Sequence, residues 1–521
     1  MSAPSWNLAD VVRTNRRVRS DAPAITYGSE VLTWADLDER SSRAASALAG
    51  ERVGAGDRVA FVGKNSPAYF EVLFGAAKVG AVTVAVNWRL HPSEMAFIVK
   101  DAGARLLVAD EEFAGADELT AAAERVIVLG TAAASPSSVP YLDWVARCPA
   151  VDPGHVGAPE EVTLQLYTSG TTGLPKGAML TNANMGHLVN AAETMFEIDS
   201  DSVMIVVLPV FHIGGVGYAL VGMAQGCHTI LLRDFDPPAV LEALTDHRVT
   251  NALFVPAMLG ALCAVPGAAE RDYSALRSVM YGASPITEES LRTSLATFAR
   301  PFVQVYGMTE TTGAITQLSA ADHDPDGPRS HLLRSAGKPF AWVEARIVDP
   351  ATGVDRATGE IGELWTRSPQ NMAGYWNNPK ATEETITAEG WLKTGDAGYL
   401  DEDGYLFLTD RVKDMIVTGA ENVYPIEVEN ALASHPAVAD VAVIGVPDST
   451  WGETVKAVVV LRPGAQADES ELIAYARARI AHFKCPRSVD FIDVLPRNPS
   501  GKILKRELRE PYWRGQERAI S

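Results

Sequence analysis

The chain is expected to be an α/β protein. A large N-terminal domain of doubly wound sheets carries a small β-barrel-like subdomain, and a small α+β domain follows. Three observations predict this. Short apolar strands alternate with helix-spaced segments through roughly the first 150 residues, the pattern of a parallel sheet covered on both faces. From Ala336 the pattern turns to short strands separated by turn signals. At 521 residues the chain exceeds what one hydrophobic core usually supports, so two or three domains are expected.

The elements follow in order. Arg40–Gly50 has helical spacing, Arg58–Val62 is a strand and Ser66–Val79 is helical again. Ala81–Val86 and Arg105–Ala109 are further strands. Val84–Leu90 (VAVNWRL) contains Asn87 and Arg89, to which no chemistry is assigned. Residues 130–159, rich in Ala, Ser and Pro, read as a surface connection.

That connection leads to the segment around which the chain is organised, LYTSGTTGLPKG (Leu166–Gly177). The apolar alternation of Val162–Tyr167 predicts a strand before it. Leu180–Met195 predicts a helix after it, with Thr181 or Asn182 as cap. Glycines let such a loop turn backbone N–H groups and hydroxyls around an anion, and Lys176 adds a point charge suited to phosphate. It is not the GxxxxGK[ST] loop, because Pro175 precedes the lysine and Gly177 follows it. A flexible surface linker is the alternative. The flanking strand, helix and lysine favour a loop that grips a triphosphate.

Further along, Val203–Cys227 is uncharged and contains Pro209, His212 and five glycines, which favour a strand–turn–helix passage over a membrane span. Gly214, Gly215 and Gly217 remove bulk there, for an apolar substrate chain or for close helix packing. Asn251–Leu259 and Ser278–Pro285 are two more strand-to-loop passages, and VYGMTETTG follows at Val305–Gly313. Glu344–Val348 and Gly362–Arg367 are strands of the small subdomain, placed at about residues 336–408. After Arg411 come a helix (Glu427–Ala433), strands (Val438–Gly445, Lys456–Leu461), a helix (Glu469–Ala481), a strand (Val489–Ile492) and a final helix (Ile503–Arg509). The boundaries expected are 1–410 and 411–521.

YTSGTTGLPKG resembles the signature loop of the adenylate-forming family, which includes acyl- and aryl-CoA synthetases. Five further motifs occur in the family's order, so the resemblance runs from about Thr33 to Leu508; it lies toward the actinobacterial fatty-acyl-CoA synthetases. It implies that Thr168, Ser169, Gly170, Thr171, Thr172, Gly173 and Lys176 hold the phosphates of ATP. PVFHIGG resembles the acyl-pocket motif, with His212 beside the substrate carboxylate. The amino-acid-activating branch has an aspartate in that motif, so an α-amino acid would lack its counter-charge here. Gly282, Ala283 and Ser284 resemble the adenine-binding turn. Tyr306, beside Gly307, would stack on adenine, Thr309 would reach phosphate, and Glu310 would hold Mg²⁺.

In GWLKTGD, Asp396 is implied to accept both ribose hydroxyls, as a carboxylate with acceptor capacity only is able to do. DRVKDMIVTGAENVYP (Asp410–Pro425) resembles the family's hinge, which makes the C-terminal domain a mobile lid. Arg411 would touch ribose, Lys413 would be the pivot, and Gly419 would let the CoA pantetheine pass. Ala420 stands where many fatty-acyl relatives have a second glycine. PRNPSGKILKREL places Lys502 as the catalytic lysine. A carboxylate attacking the α-phosphorus brings two anions together, and an ammonium between them stabilises the transition state.

Charge and composition set limits. The net charge of −20 argues against broad binding to nucleic acid or anionic membranes. From Arg411 onward there are 15 Lys/Arg and 15 Asp/Glu, against 30 and 50 before it, so a neutral lid faces polyanionic ATP and CoA more readily than the acidic body would. Cys148, Cys227, Cys263 and Cys485 are far apart and show no metal spacing, which fits free thiols in a reducing compartment. The first twenty residues lack a signal-peptide core, so a cytoplasmic location is expected, and a homodimer is left open.

The expected activity is an AMP-forming acyl-CoA synthetase using ATP, Mg²⁺ and CoA on a medium- to long-chain fatty acid. Glycine and small residues in the acyl-pocket motif and the actinobacterial resemblance favour that acid. Alternatives are an aryl or alicyclic acid, loading of a carrier protein, and a catalytically silent scaffold. Intact Lys502, Glu310 and Asp396 argue against the last.

Overall fold

Strands rich in Val, Ala and Leu that are buried on both faces belong in parallel sheets. In the computed structural model, Arg58–Val62, Val82–Val86, Ala104–Asp110 and Arg125–Leu129 pair in parallel within an eight-stranded sheet. The structure describes all residues except 1–5, 131–137, 169–173, 285, 412–413, 419–420, 449–451, 498–502 and 515–521, and describes residues 193, 410, 411, 417, 421, 422 and 452 by their backbone alone. Between the strands, Pro67–Val79 starts with proline at its first turn and ends at Gly80, whose φ of 76° suits glycine. Trp34–Gly50 is fixed at its start by a reciprocal cap between Thr33 and Asp36. The connection at 130–159 holds more structure than its composition suggests: a short strand, Ser138–Pro140, and a helix, Tyr141–Ala146, whose Tyr141 and Trp144 are buried.

A second, nine-stranded sheet has a parallel centre. Phe302–Met308, Ser278–Gly282, Asn251–Phe254, Val203–Val206, His228–Leu231 and Pro23–Tyr27 are neighbours in that order. Gly313–Leu318 adds an antiparallel edge beside Phe302–Met308. The uncharged run is a strand followed by the helix Ile213–Gln225. Among the described residues no helix is long and apolar enough to cross a membrane.

The chain divides into two compact units. One comprises residues 1–344 and 367–392, the other 345–366 and 393–521. The first holds the two large sheets. In the second, a four-stranded half-barrel sheet runs Glu344–Val348, Gly362–Arg367, Leu392–Leu400, Leu406–Arg411, the last two antiparallel. Its other sheet is built on the long hairpin Val438–Asp448/Gly452–Leu461, with Ser488–Phe491 parallel to the second arm. Pro425–Ala433, Glu469–Arg477 and Lys505–Trp513 are its helices. The expected helix Glu469–Ala481 ends earlier, at Arg477, and the final helix starts two residues later than Ile503.

Candidate active site

The organising loop is the tip of a β-hairpin. Val162–Thr168 pairs antiparallel with Lys176–Thr181, and Thr168 lies opposite Lys176. The expected helix Leu180–Met195 therefore gives way to a strand, then two short helices, Asn182–Val189 and Ala191–Phe196. Thr181 caps the first of them through the backbone N–H of Asn184. The described residues that flank the tip are Thr168 and Lys176, which bring a hydroxyl and an ammonium to opposite arms of the hairpin. Ser169, Gly170, Thr171, Thr172 and Gly173 lie outside the described residues.

The hairpin base meets the strand end at 306–310. The Thr168 hydroxyl donates to Glu310 Oε1 at 3.2 Å, and the Tyr375 hydroxyl donates to the same oxygen at 2.8 Å. The backbone of Glu310 is pinned as well, its carbonyl accepting from Met372 N–H at 2.8 Å. Lys176 Nζ sits 5.2 Å from the centre of the Tyr375 ring. Tyr375 comes from a two-residue strand paired with the second hairpin arm. One buried carboxylate, one ammonium and two hydroxyls thus converge from three distant stretches of chain. Among the described residues no donor reaches Glu310 Oε2, and no cluster of three or more His, Cys, Asp or Glu could hold a metal by itself. A single buried carboxylate fits Mg²⁺ shared with nucleotide phosphates.

Tight backbone contacts shape the neighbouring turns. A Cβ on Gly307 would lie 1.9 Å from the Gly313 carbonyl oxygen, and one on Gly282 would lie 2.2 Å from that of Val305. Both glycines are demanded by packing whatever binds there. Ala283 has φ of 66°, a left-handed conformation uncommon outside glycine, while Ser284 is half-buried beside it. Thr309 opens a 3₁₀ turn that closes at Thr312, and the Thr312 hydroxyl donates to the Gln370 carbonyl at 2.5 Å. Tyr306 is half-buried on the strand leading in.

His212 is the N-cap residue of Ile213–Gln225 but makes no capping bond with its side chain. Its Nε2 is buried, and among the described residues it has no hydrogen-bond partner. Burial, helped by the nearby charge of Arg89, pushes the imidazole down to about 4, so it is neutral at pH 7. The Trp88 ring packs edge-on against Phe211, the residue before His212, with ring centres 6.2 Å apart, which ties the unassigned VNWRL segment to the start of this helix. A neutral imidazole beside a helix N-terminus offers hydrogen-bond donors to a carboxylate.

In the second unit Asp396 is buried on Leu392–Leu400, its N–H donating to the Thr394 hydroxyl at 3.1 Å. Its register partner on the adjacent strand is Arg411. The two residues implied for ribose are thus cross-strand neighbours. Lys413, Gly419 and Lys502 lie outside the described residues. Tyr375 is the residue that sequence reasoning missed; its only signal is an aromatic pair, Tyr375–Trp376, after a glycine.

Comparison with known proteins agrees with this geometry. Residues 12–376 match the profile described as AMP-binding enzyme, and residues 427–502 match the AMP-binding enzyme C-terminal domain. The chain is 40% identical to fatty acid–[acyl-carrier-protein] ligase ScoC of Streptomyces coeruleorubidus, covering 96% of this chain and 95% of that protein. It is 39% identical to the feruloyl-CoA synthase of an Amycolatopsis species, covering 95% and 97%. The crystal structure of ATP-bound MatB from Rhodopseudomonas palustris superposes with a TM-score of 0.88 at 30% identity, covering 97% and 99%. With its motifs in order and Thr168 of the hairpin in contact with Glu310, the chain belongs to the AMP-binding enzyme family and is an AMP-forming ligase.

Proposed function

We propose that this ligase activates a medium- to long-chain fatty acid and passes the acyl group to the thiol of CoA. The observation that carries the nucleotide half is the meeting of Thr168 and Tyr375 on Glu310, with Lys176 over the Tyr375 ring. The acid half is supported by the Val203–Cys227 run, which contains no charged side chain to pair with a substrate amine. It is supported also by the space at Gly214, where an added Cβ would meet only Leu208, at 3.6 Å.

The first step forms a bond between a carboxylate oxygen and the α-phosphorus of ATP and expels pyrophosphate. In this reading the loop from Thr168 to Lys176 grips the triphosphate, while Thr309 and the Gly282–Ser284 turn position the nucleotide and Tyr306 stacks on adenine. Mg²⁺, when bound at Glu310, supplies charge neutralisation to the phosphates. His212 donates a hydrogen bond that orients the acid, and Lys502 bridges the approaching anions. In the second step the thiol sulfur attacks the acyl carbon, AMP leaves, and the thiol proton passes to solvent. The lid would pivot at Lys413, withdraw Lys502 and present Gly419 to pantetheine, while Asp396 and Arg411 hold ribose.

One relative gives a second reading specific support. ScoC is named for an acyl-carrier-protein acceptor, so a carrier thiol is the rival to CoA. Pyrophosphate release with fatty, aromatic and alicyclic acids, with and without CoA, tests both. Thioester formation with CoA on C8–C18 acids is the expected result. Pyrophosphate release without any CoA thioester favours a carrier thiol, preference for aromatic acids refutes the acid assignment, and no turnover with any acid refutes the ligase mechanism.

A further inference from the structure

On the reading just given, on which this inference rests, Thr168, Lys176 and Glu310 serve the phosphates of ATP and their Mg²⁺. The hairpin that carries the first two has a reverse face, for which the ligase chemistry above has no use. Successive side chains of a strand leave opposite faces, and residues directly across a pair share one. Thr168, its partner Lys176, and Tyr375, whose partner is Ala178, therefore lie on one face. Tyr167, its partner Gly177 and Gln165 lie on the other.

Each face is held by a single residue. On the nucleotide side Glu310 takes the hydroxyls of Thr168 and Tyr375. On the reverse side Asp101 takes the residues next to them in the chain. The Tyr167 hydroxyl donates to Asp101 Oδ2 at 2.6 Å, and Trp376 Nε1 donates to the Asp101 carbonyl oxygen at 3.0 Å. Asp101 ends the helix Pro92–Asp101, where carbonyl groups lack a helical partner, so Trp376 satisfies an oxygen that the helix leaves open. A carboxylate there stands at the negative end of the helix dipole, a placement that the helix itself disfavours and the Tyr167 hydroxyl offsets. Burial and this hydrogen bond raise the Tyr167 pKa, so the phenol keeps the proton it donates.

The surroundings fix both rings. The Arg58 guanidinium lies 3.4 Å from the centre of the Trp376 ring, and the Trp376 backbone N–H donates to the Gly177 carbonyl at 2.8 Å. A Cβ on Gly177 would lie 3.0 Å from the Tyr167 ring and 2.7 Å from Gln165 Nε2, which itself donates to the Tyr167 hydroxyl oxygen at 3.2 Å.

We propose that Asp101 is a positioning residue for the triphosphate: by holding Tyr167 and Trp376 from behind, it sets the adjoining Thr168 and Tyr375 hydroxyls on Glu310. Asp101 touches neither substrate nor metal. Its effect falls on ATP rather than AMP, which has no β- or γ-phosphate for that face to hold.

The test measures affinities of the full chain for MgATP and for AMP by calorimetry, and KM for ATP in pyrophosphate release. Asp101→Ala and Tyr167→Phe should each weaken MgATP about tenfold and raise KM to match, with AMP affinity unchanged. The double variant should lose no more than either single one, because both remove the same bond. Asp101→Asn, whose amide oxygen is able to accept from Tyr167, should bind MgATP as the unmodified protein does. Tyr167→Phe keeps the ring and its packing, so the proposal stays open to refutation if Asp101→Ala fails to fold. Unchanged MgATP affinity in folded Tyr167→Phe, equal weakening of MgATP and AMP, or a loss in Asp101→Asn as large as in Asp101→Ala overturns the positioning role and leaves the ligase reading intact. Failure of the unmodified protein to bind MgATP or to release pyrophosphate overturns the ligase reading itself, and the positioning role with it.

Discussion

Acid should destabilise the first unit earlier than carboxylate protonation requires, and His323 gives the effect a size. Burial lowers its imidazole from 6.5 to about 4 in the folded chain. Between those values the unfolded chain binds a proton that the folded chain refuses. The contribution to stability is therefore complete above 6.5 and is lost as pH falls toward 4. From pH 7 to pH 5 the loss is about 1–2 kcal/mol, the lower figure applying because the edge of the ring keeps some solvent. His212 has the same direction and the same folded value, so the two together steepen the decline. The measurement is the urea midpoint of tryptophan fluorescence at pH 7 and pH 5, for the unmodified protein and for His323→Gln. The gap between them should shift by about 1–2 kcal/mol in favour of the variant on acidification. A gap that is the same at both pH values refutes the argument, as does a His323 proton resonance titrating near 6.5.

Three further outcomes are expected. Lys502→Ala should slow adenylate formation by about 10²–10³-fold while sparing attack of CoA on supplied acyl-adenylate, and equal loss of both steps removes its assigned role. His212→Ala should change the ranking of acids more than the KM for ATP, so an unchanged ranking takes it out of the acyl pocket. Glu310→Gln keeps an acceptor for Thr168 and Tyr375 but loses the charge, so the Mg²⁺ concentration for half-maximal rate should rise at least about tenfold with the fold intact by circular dichroism.

What the sequence made legible follows from how local each signal is. Arg58–Val62, Pro67–Val79 and Val82–Val86 are set by their own apolar periodicity and by proline and glycine punctuation, and they fall within a residue or so of the expected bounds. Lys176–Thr181 was hidden because its pairing is non-local. Six residues become a strand only because Val162–Thr168 lies on one side and Gly374–Tyr375 on the other. The same reason hid Tyr375: its hydroxyl gains meaning from Glu310, 65 residues earlier in the chain.

The glycines of the acyl-pocket run show how a structure narrows an inference from composition. Five glycines between Val203 and Cys227 invite the thought of a roomy channel. Gly226 instead caps Ile213–Gln225 with φ of 79°, a conformation that side chains resist. A Cβ on Gly215 would lie 2.2 Å from the Pro209 carbonyl oxygen, and one on Gly222 would lie 1.9 Å from the Met204 sulfur. These three are required by folding and carry no information about substrate. Gly217 is bounded by Ile213 and Leu188 at 3.1 and 3.2 Å, and those two side chains also border Gly313 across the strand that follows Glu310. Only Gly214 opens onto space. On the proposed reading, the case for a long alkyl substrate rests on the space at Gly214 and on the Leu188 and Ile213 side chains that bound Gly217 and Gly313, rather than on glycine content.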